Sequence, residues 1–378
     1  MLFPKAEYDE RLSRLYAFMD EHNVAVVIAD EAEMLHYFTG FAISENLYRA
    51  VLIPREGPLL MIVRTLDEHV FLKLAWFDNR RIFDDVEDPV AIVAQVIEDW
   101  GCADARIGLD MNSYCMPAKR FSHLRTLLPS ATYIDFSDVF RPMRLKKSPR
   151  EIIVMQKSAD IADEAMRRAI AAAKPGASSR TAAAMAAASF MELGADFGRT
   201  GPITVGKGWN FLHGKLSDDP LEPGDVLHLE LVPKVSGYCS RLMRPAVMGE
   251  PSGELRDAAD ALIALQDRQI AAMVPGAVAG EVDAMFRQAV LDAGLRQTYV
   301  NNTGYTLGYY FEQAPRTSDF TRRFTPKATW RLEAGMTFHM YTSADIGMAF
   351  SETVLVDDDG PERLTRLERK LFRCGEAR

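Results

Sequence analysis

Residues 169–194, AIAAAKPGASSRTAAAMAAASFMELG, match residues 269–294, QIAAMVPGAVAGEVDAMFRQAVLDAG, at a constant offset of 100. Ile170, Ala171, Ala172, Pro175, Gly176, Ala177, Ala184, Met185 and Gly194 recur at Ile270, Ala271, Ala272, Pro275, Gly276, Ala277, Ala284, Met285 and Gly294. A second match, at an offset of 111, pairs Leu221-Glu-x-Gly-x-x-x-His228 with Leu332-Glu-x-Gly-x-x-x-His339. Alanine-rich helices resemble one another by composition alone, but two matches in the same order argue for an internal duplication. Each half reads as helix, Pro-Gly turn, helix ended by Gly, then strands. Two such α+β halves place a pocket where their sheets meet, a common site for ligands.

The chain has 378 residues, enough for a second domain ahead of the duplicated one. Helical spacing over 7–22 is followed by the β-branched run Val24 to Ala29. Strands are expected at Ala50 to Pro54, Leu59 to Val63, Arg106 to Leu109 and Thr132 to Ile134, with helices over 66–74, 89–99 and 117–128. This alternation predicts an α/β N-terminal domain. Its end falls at Arg141-Pro-Met-Arg-Leu-Lys-Lys-Ser148-Pro149, where Ser148 caps a helix, Pro149 suits its first turn and Glu151 favours its positive end. The domains are therefore 1–147 and 148–378.

Lys plus Arg number 44 against 53 Asp plus Glu, a net charge of −9, with no dense basic run. Nucleic acid and anionic membrane surfaces are thereby disfavoured as partners, which leaves small molecules. The first residues, MLFPKAEYDERL, carry Lys5, Glu7, Asp9 and Glu10 where a secretory signal needs an apolar run. No stretch reaches the length of a membrane span. Cys102, Cys115, Cys239 and Cys374 form no CxxC pair, as expected of reduced thiols. A cytoplasmic location is the expectation.

Val226-Leu-His-Leu-Glu230 alternates, which puts His228 and Glu230 on one face of a strand. Its duplicate does the same with Thr337, His339 and Tyr341. The shared position of His228 and His339 in both halves suggests hydrogen-bonded architectural histidines, while Glu230 suits either structure or chemistry. His213 lies in the loop Trp209-Asn-Phe-Leu-His-Gly214, where Trp209 and Phe211 would wall a pocket. An imidazole there is a proton carrier at neutral pH or a surface histidine. Thr303-Gly-Tyr305-Thr-Leu-Gly308-Tyr-Tyr-Phe-Glu312 brings three tyrosines and a carboxylate, for binding or for aromatic packing at Tyr309 and Tyr310. Arg241, Arg244, Arg316 and Arg322 are candidates for a substrate carboxylate.

With these residues in place, the chain resembles the creatinase, prolidase and aminopeptidase P family. The resemblance rests on Arg144-Leu-Lys-Lys-Ser148-Pro-x-Glu151-Ile, Leu221-Glu-Pro-Gly-Asp225, Gly237-Tyr238, Gly304-x-x-x-Gly308, Leu332-Glu-x-Gly335-Met and Ser351-Glu-Thr-Val-Leu-Val356. It implies a creatinase-like N-terminal α/β domain and an α+β pita-bread C-terminal domain with a pseudo-twofold duplication. It also implies a homodimer, for which Tyr37, Phe38 and Phe41 look like exposed aromatics. The family's metallopeptidases hold two divalent ions on two Asp, one His and two Glu, and those positions here hold Glu230, Arg241, Tyr305, Tyr341 and Ser351. A one-residue shift at the last would offer Glu352. A guanidinium cannot ligate, so neither a metal nor any other cofactor is expected.

The resemblance is nearest to the metal-free branch, the creatinases and ectoine-hydrolase-like proteins. His213 matches the histidine that creatinase uses as acid and base, whereas creatinase's substrate-binding glutamates fall at Met243 and Tyr341. His213-Gly-Lys-Leu-Ser-Asp-Asp-Pro220 and Met336-Thr-Phe-His339 look like ectoine hydrolase, but Glu312-Gln-Ala-Pro315-Arg316 departs from that branch. The expected activity is metal-independent hydrolysis of a C–N bond in a small polar or zwitterionic molecule, a cyclic amidine or amidino acid first. His213, Glu230 and Glu312 would be catalytic; Trp209, Phe211, Arg241, Tyr305, Tyr341 and Glu352 would bind substrate. A remodelled Xaa-Pro dipeptidase and a catalytically inactive ligand-binding homologue are the alternatives.

Overall fold

A computed structural model describes residues 2–42, 47–208, 212–310 and 320–376. The chain forms two compact units, the first reaching Arg144 and the second beginning at Leu145.

The first unit is built on β1 (Val26–Ala29), β2 (Ala50–Pro54), β3 (Leu60–Arg64), β4 (Arg80–Phe83), β5 (Arg106–Leu109) and β6 (Thr132–Asp135), in the order β4-β3-β2-β1-β5-β6. Alternation along β1 explains why both faces are covered. Val27 and Ala29 join Leu12, Leu15, Phe38 and Phe140 on one side, while Val26 and Ile28 join Val90, Val93, Ile97 and Leu124 on the other. The helices α1 (Lys5–Glu21), α2 (Ala32–Thr39), α3 (Glu68–Leu74), α4 (Pro89–Asp99), α5 (Ala118–Leu127) and α6 (Ser137–Met143) supply those faces. Three elements were not expected, α2, α6 and β4. The presence of α2 corrects the view of its aromatics: Tyr37, Phe38 and Phe41 are 1%, 0% and 0% exposed. Tyr37 and Phe38 are core residues because α2 lays them against α1 and α6 (Arg11 Nη1 donates to the Tyr37 carbonyl at 2.8 Å), and Phe41, just beyond α2, packs edge-on to Phe71 of α3 at 5.5 Å.

The second unit opens with α7 (Pro149–Ala172), where Ser148 and Glu151 form a reciprocal capping box and Pro149 occupies the first turn. It continues through α8 (Ser179–Leu193), β7 (Ile203–Gly206), β8 (Val226–Leu231), a small hairpin of β9 (Lys234–Val235) and β10 (Tyr238–Cys239), and β11 (Leu242–Val247). The pattern then repeats as α9 (Gly253–Ala271), α10 (Ala279–Asp292), β12 (Gly304–Thr306), β13 (Arg323–Phe324), β14 (Thr337–Ala344) and β15 (Met348–Asp357). Among the described residues one sheet runs β13-β12-β14-β15-β11-β8-β7, so the halves meet where β11 pairs with β15.

The duplication is visible atom by atom. Gly176 and Gly276 take φ of 84° and 87°, and Gly224 and Gly335 take 86° and 88°. Leu221 donates its N–H to Ala177 at 2.8 Å, and Leu332 to Ala277 at 2.9 Å. Ala195 donates to Phe190, as Leu295 does to Val290. Helices cover one face of the sheet: Leu227, Leu229 and Leu231 pack on α7 and α8, and Phe338, Met340, Val354 and Val356 pack on the α9–α10 turn and α10. Alternation then turns His228, Glu230, Tyr305, His339 and Tyr341 to the other face. No helix among the described residues is long and apolar enough to cross a membrane.

Candidate active site

The helix-free face carries two rows of side chains. Register places Glu230, Met243, Ser351 and Tyr341 abreast on β8, β11, β15 and β14. The adjoining row is Thr353, His339 and Tyr305 on β15, β14 and β12. Glu230 is held in depth by Gly201, since a Cβ there would meet the Glu230 carbonyl oxygen at 2.5 Å. Arg241, just before β11, exchanges hydrogen bonds with Thr353: its N–H donates to Oγ1 at 2.8 Å and its carbonyl accepts from the same hydroxyl at 3.0 Å.

So anchored, the Arg241 guanidinium lies on the Glu230 carboxylate and 5.6 Å from the Tyr305 ring centroid. Burial alone would raise Glu230, but the Arg241 charge, assisted by His228, outweighs it and holds the carboxyl at about 2. For Arg241 burial works against the charge, and Glu230 overcomes it, leaving the guanidinium above its ordinary value. The pair is an ionised dipole at neutral pH, with Glu230 1% exposed.

His339 is fully buried, its ring stacked on Tyr341 at 5.4 Å and edge-on to Tyr305 at 5.1 Å. Burial, then the Arg241 charge, push its pKa well below the ordinary value, so the imidazole is neutral. The expectation of a hydrogen-bonded architectural histidine is corrected for His339, whereas His228 supports the Glu230 carboxylate. Among the described residues neither ring nitrogen of His339 has a hydrogen-bond partner, nor does Nδ1 of His228, whose Nε2 stands 3.8 Å from Glu230. Ser351 Oγ and Thr204 Oγ1 are buried and unbonded as well. Each such atom costs about 1–3 kcal/mol if nothing meets it.

The Tyr341 hydroxyl donates to Asn302 at 3.1 Å and accepts from Asn301 at 3.4 Å. Neither asparagine nor Thr353 was singled out from sequence, although a buried phenol needs a polar partner and Asn301-Asn302 was the nearest candidate preceding Tyr305. Leu212 packs with Met243, Ala349 and Tyr341, so the loop bearing His213 is seated beside the first row, with His213 itself exposed. Trp209, Phe211, Glu312 and Arg316 lie outside the described residues. Tyr310 is packed with Val232, Cys239 and Leu307, and Tyr309 against Tyr238 at 4.7 Å.

Glu352 belongs elsewhere. Strand alternation sends it to the helix-covered face, where Arg244 donates to it at 2.8 Å and Thr365 at 2.5 Å, with the Arg244 and Glu352 side chains both 0% exposed. The same contacts remove Arg244 from the candidates for a substrate carboxylate, because its other donors end on the carbonyls of Met243, Ser351, Leu367 and Glu368.

A model of metallopeptidase family M24 matches residues 154–358, and one of the creatinase/prolidase N-terminal domain matches residues 11–146. The chain belongs to metallopeptidase family M24. It is 24% identical over 393 residues to ectoine hydrolase of Halomonas elongata, covering 98% of each chain. It is 23% identical over 367 residues to Xaa-Pro dipeptidase of Pyrococcus horikoshii, covering 96% of this chain and 99% of the relative. The crystal structure of the prolidase from Pyrococcus horikoshii OT3 superposes with a TM-score of 0.83 at 22% identity, over 96% of this chain and 100% of that one.

Against the metal that the M24 name implies stands the donor set of this member. The five positions that the resemblance assigns to ligands do converge on the helix-free face, with Ser351 rather than Glu352 as the last. They offer one carboxylate, already paired with Arg241, together with two phenols, a hydroxyl and a guanidinium. Divalent ions need several anionic oxygens or imidazoles, and a fixed cation in their midst repels them. Among the described residues no three His, Cys, Asp or Glu stand close enough to hold a metal. These residues do not fit a dinuclear centre.

Proposed function

We propose that this M24 hydrolase cleaves a C–N bond of a small, polar, zwitterionic molecule without a metal ion, a cyclic amidine or amidino acid being the first substrate class to test. The observation that carries this reading is the Glu230–Arg241 pair at the positions where metallopeptidases of the family hold their ions. A positive charge is thus still present beneath the sheet's polar face, but it is covalently part of the protein. Similarity to ectoine hydrolase over nearly the whole chain supports the same reaction class.

In this reading Glu230, ionised at any ordinary pH, fixes Arg241 and contributes charge rather than carrying a proton. His213 moves the proton: it takes one from water as the oxygen adds to carbon and returns it to the departing nitrogen as the C–N bond breaks. Tyr305 and Tyr341 give flat walls for the substrate, and Glu312, Trp209 and Phe211 join the site on the strength of the resemblance. Ectoine, creatine, hydantoin and Xaa-Pro dipeptides, screened by thermal shift and then by mass-spectrometric product detection, test the proposal. A cyclic amidine or amidino acid should raise the melting temperature, because a ligand that binds only the native state stabilises it, and should be hydrolysed. Binding without turnover would instead favour a ligand-binding homologue, and hydrolysis of dipeptides alone a remodelled dipeptidase.

A further inference from the structure

The two halves of the duplication have diverged at one pair of equivalent histidines. His228 has a carboxylate beside it, with Nε2 3.8 Å from Glu230 on the same strand. In the second half the residue equivalent to Glu230 is Tyr341, which stacks its ring on His339 and sends its hydroxyl to Asn302. His339 is therefore held in one plane by Tyr341 and Tyr305 while both of its ring nitrogens are left without a partner among the described residues at 0% exposure. Ser351 Oγ, buried and also unbonded, lies on the neighbouring strand and the same face. A core position with apolar neighbours is served better by phenylalanine or leucine, since an imidazole buried without partners is a net loss of stability. Three unbonded polar atoms on one face, beside a fixed ion pair, match a ligand that presents a donor and an acceptor side by side.

We propose that His339 is a substrate-contacting residue that hydrogen-bonds, with Ser351 beside it, to the amide or amidine group of the substrate. This rests on the reading of the helix-free face as a hydrolase site. The two ring nitrogens point to opposite edges of the imidazole, so one of them meets one side of the group and the Ser351 hydroxyl, which can donate or accept, meets the other, which suits a group carrying both N–H and C=O or C=N. Sulfate and bare cations offer only one of the two functions and are disfavoured.

The test compares the full-length wild type with His339→Phe, His339→Leu, His339→Asn and His339→Gln, each with and without ectoine or hydantoin as probe. Without probe, His339→Phe or the smaller His339→Leu should melt at least about 2 °C above wild type, because a ring with two unmet polar atoms has been replaced by an apolar group. With a probe that protects the wild type, the apolar variants should bind at least about tenfold more weakly. One of His339→Asn or His339→Gln, which carry a donor and an acceptor, should recover most of that affinity. Apolar variants that all melt below wild type, or that bind the probe as wild type does, would overturn the proposal. If neither probe protects the wild type, the cyclic members of the proposed substrate class fail, and the melting temperatures of the apolar variants alone decide for His339: a rise supports it and a fall overturns it.

Discussion

At the residue scale the molecule turns on Glu230 and Arg241. Removing one member of a buried pair leaves the other charged and unmet, so Arg241→Met should lose about 3–5 kcal/mol at pH 7, measured by urea unfolding. The sign of its pH dependence follows from Glu230. Its folded value, about 2, lies below the ordinary 4.5, so the pair's stabilisation is complete above about pH 4.5 and is lost as pH falls through about 2. The deficit of Arg241→Met should accordingly shrink between those limits; a deficit independent of pH would mean the carboxyl is not held ionised by Arg241. His213 is the separate, chemical case. His213→Asn should lower kcat at least about a hundredfold with little change in stability or affinity, the pattern of a group needed in the transition state. Turnover equal to wild type would pass the role to Glu312.

At the scale of elements, equivalent turns should fail equivalently. Gly176 and Gly276 have left-handed φ of 84° and 87° and nothing within 4 Å of an added Cβ, so Gly176→Ala and Gly276→Ala meet backbone strain alone. Each should cost about 1–2 kcal/mol, and a difference of more than about 1 kcal/mol between them in chemical denaturation would show that the halves are not equivalent there. The turns were legible in the sequence because Pro-Gly and Leu-Glu-x-Gly punctuate both copies, and so were β2, β5 and α4, whose apolar runs are bounded by clear signals. What escaped were β4, α6 and above all α2. Glu-Ala-Glu-Met-Leu-His-Tyr-Phe-Thr is buried throughout, so it shows no polar stripe, and its aromatics looked like surface residues. Period 2 correctly put His228 and His339 on the face opposite the leucines. It could not say that this face would leave both nitrogens of His339 without a partner among the described residues, nor that β15 would carry Ser351 rather than Glu352 to it. That choice depends on pairing register with β11 and β14, which is set by tertiary packing.

For the whole molecule, the resemblance implies a homodimer, and the structure withdraws the sequence support first offered for it. Tyr37, Phe38 and Phe41 are in a core, so any dimer is held by other surfaces. Light scattering should nonetheless give about twice the chain mass of 42.3 kDa, independent of concentration; a stable value near the single-chain mass would refute this. The fold is that of family M24, with the positions that the resemblance assigns to the metal ligands of its metallopeptidases assembled on one face. The residues at those positions are Glu230, Arg241, Tyr305, Tyr341 and Ser351, and the proposed function stands or falls on the chemistry they support. The most direct measurement is hydrolysis, followed by mass spectrometry, of the substrate identified in the panel. It would be run with protein dialysed against a chelator, before and after addition of manganese, alongside elemental analysis of the same sample. The account predicts unchanged turnover with far less than one transition-metal ion per chain. Activity abolished by the chelator and restored by manganese, with close to two ions bound, would contradict it.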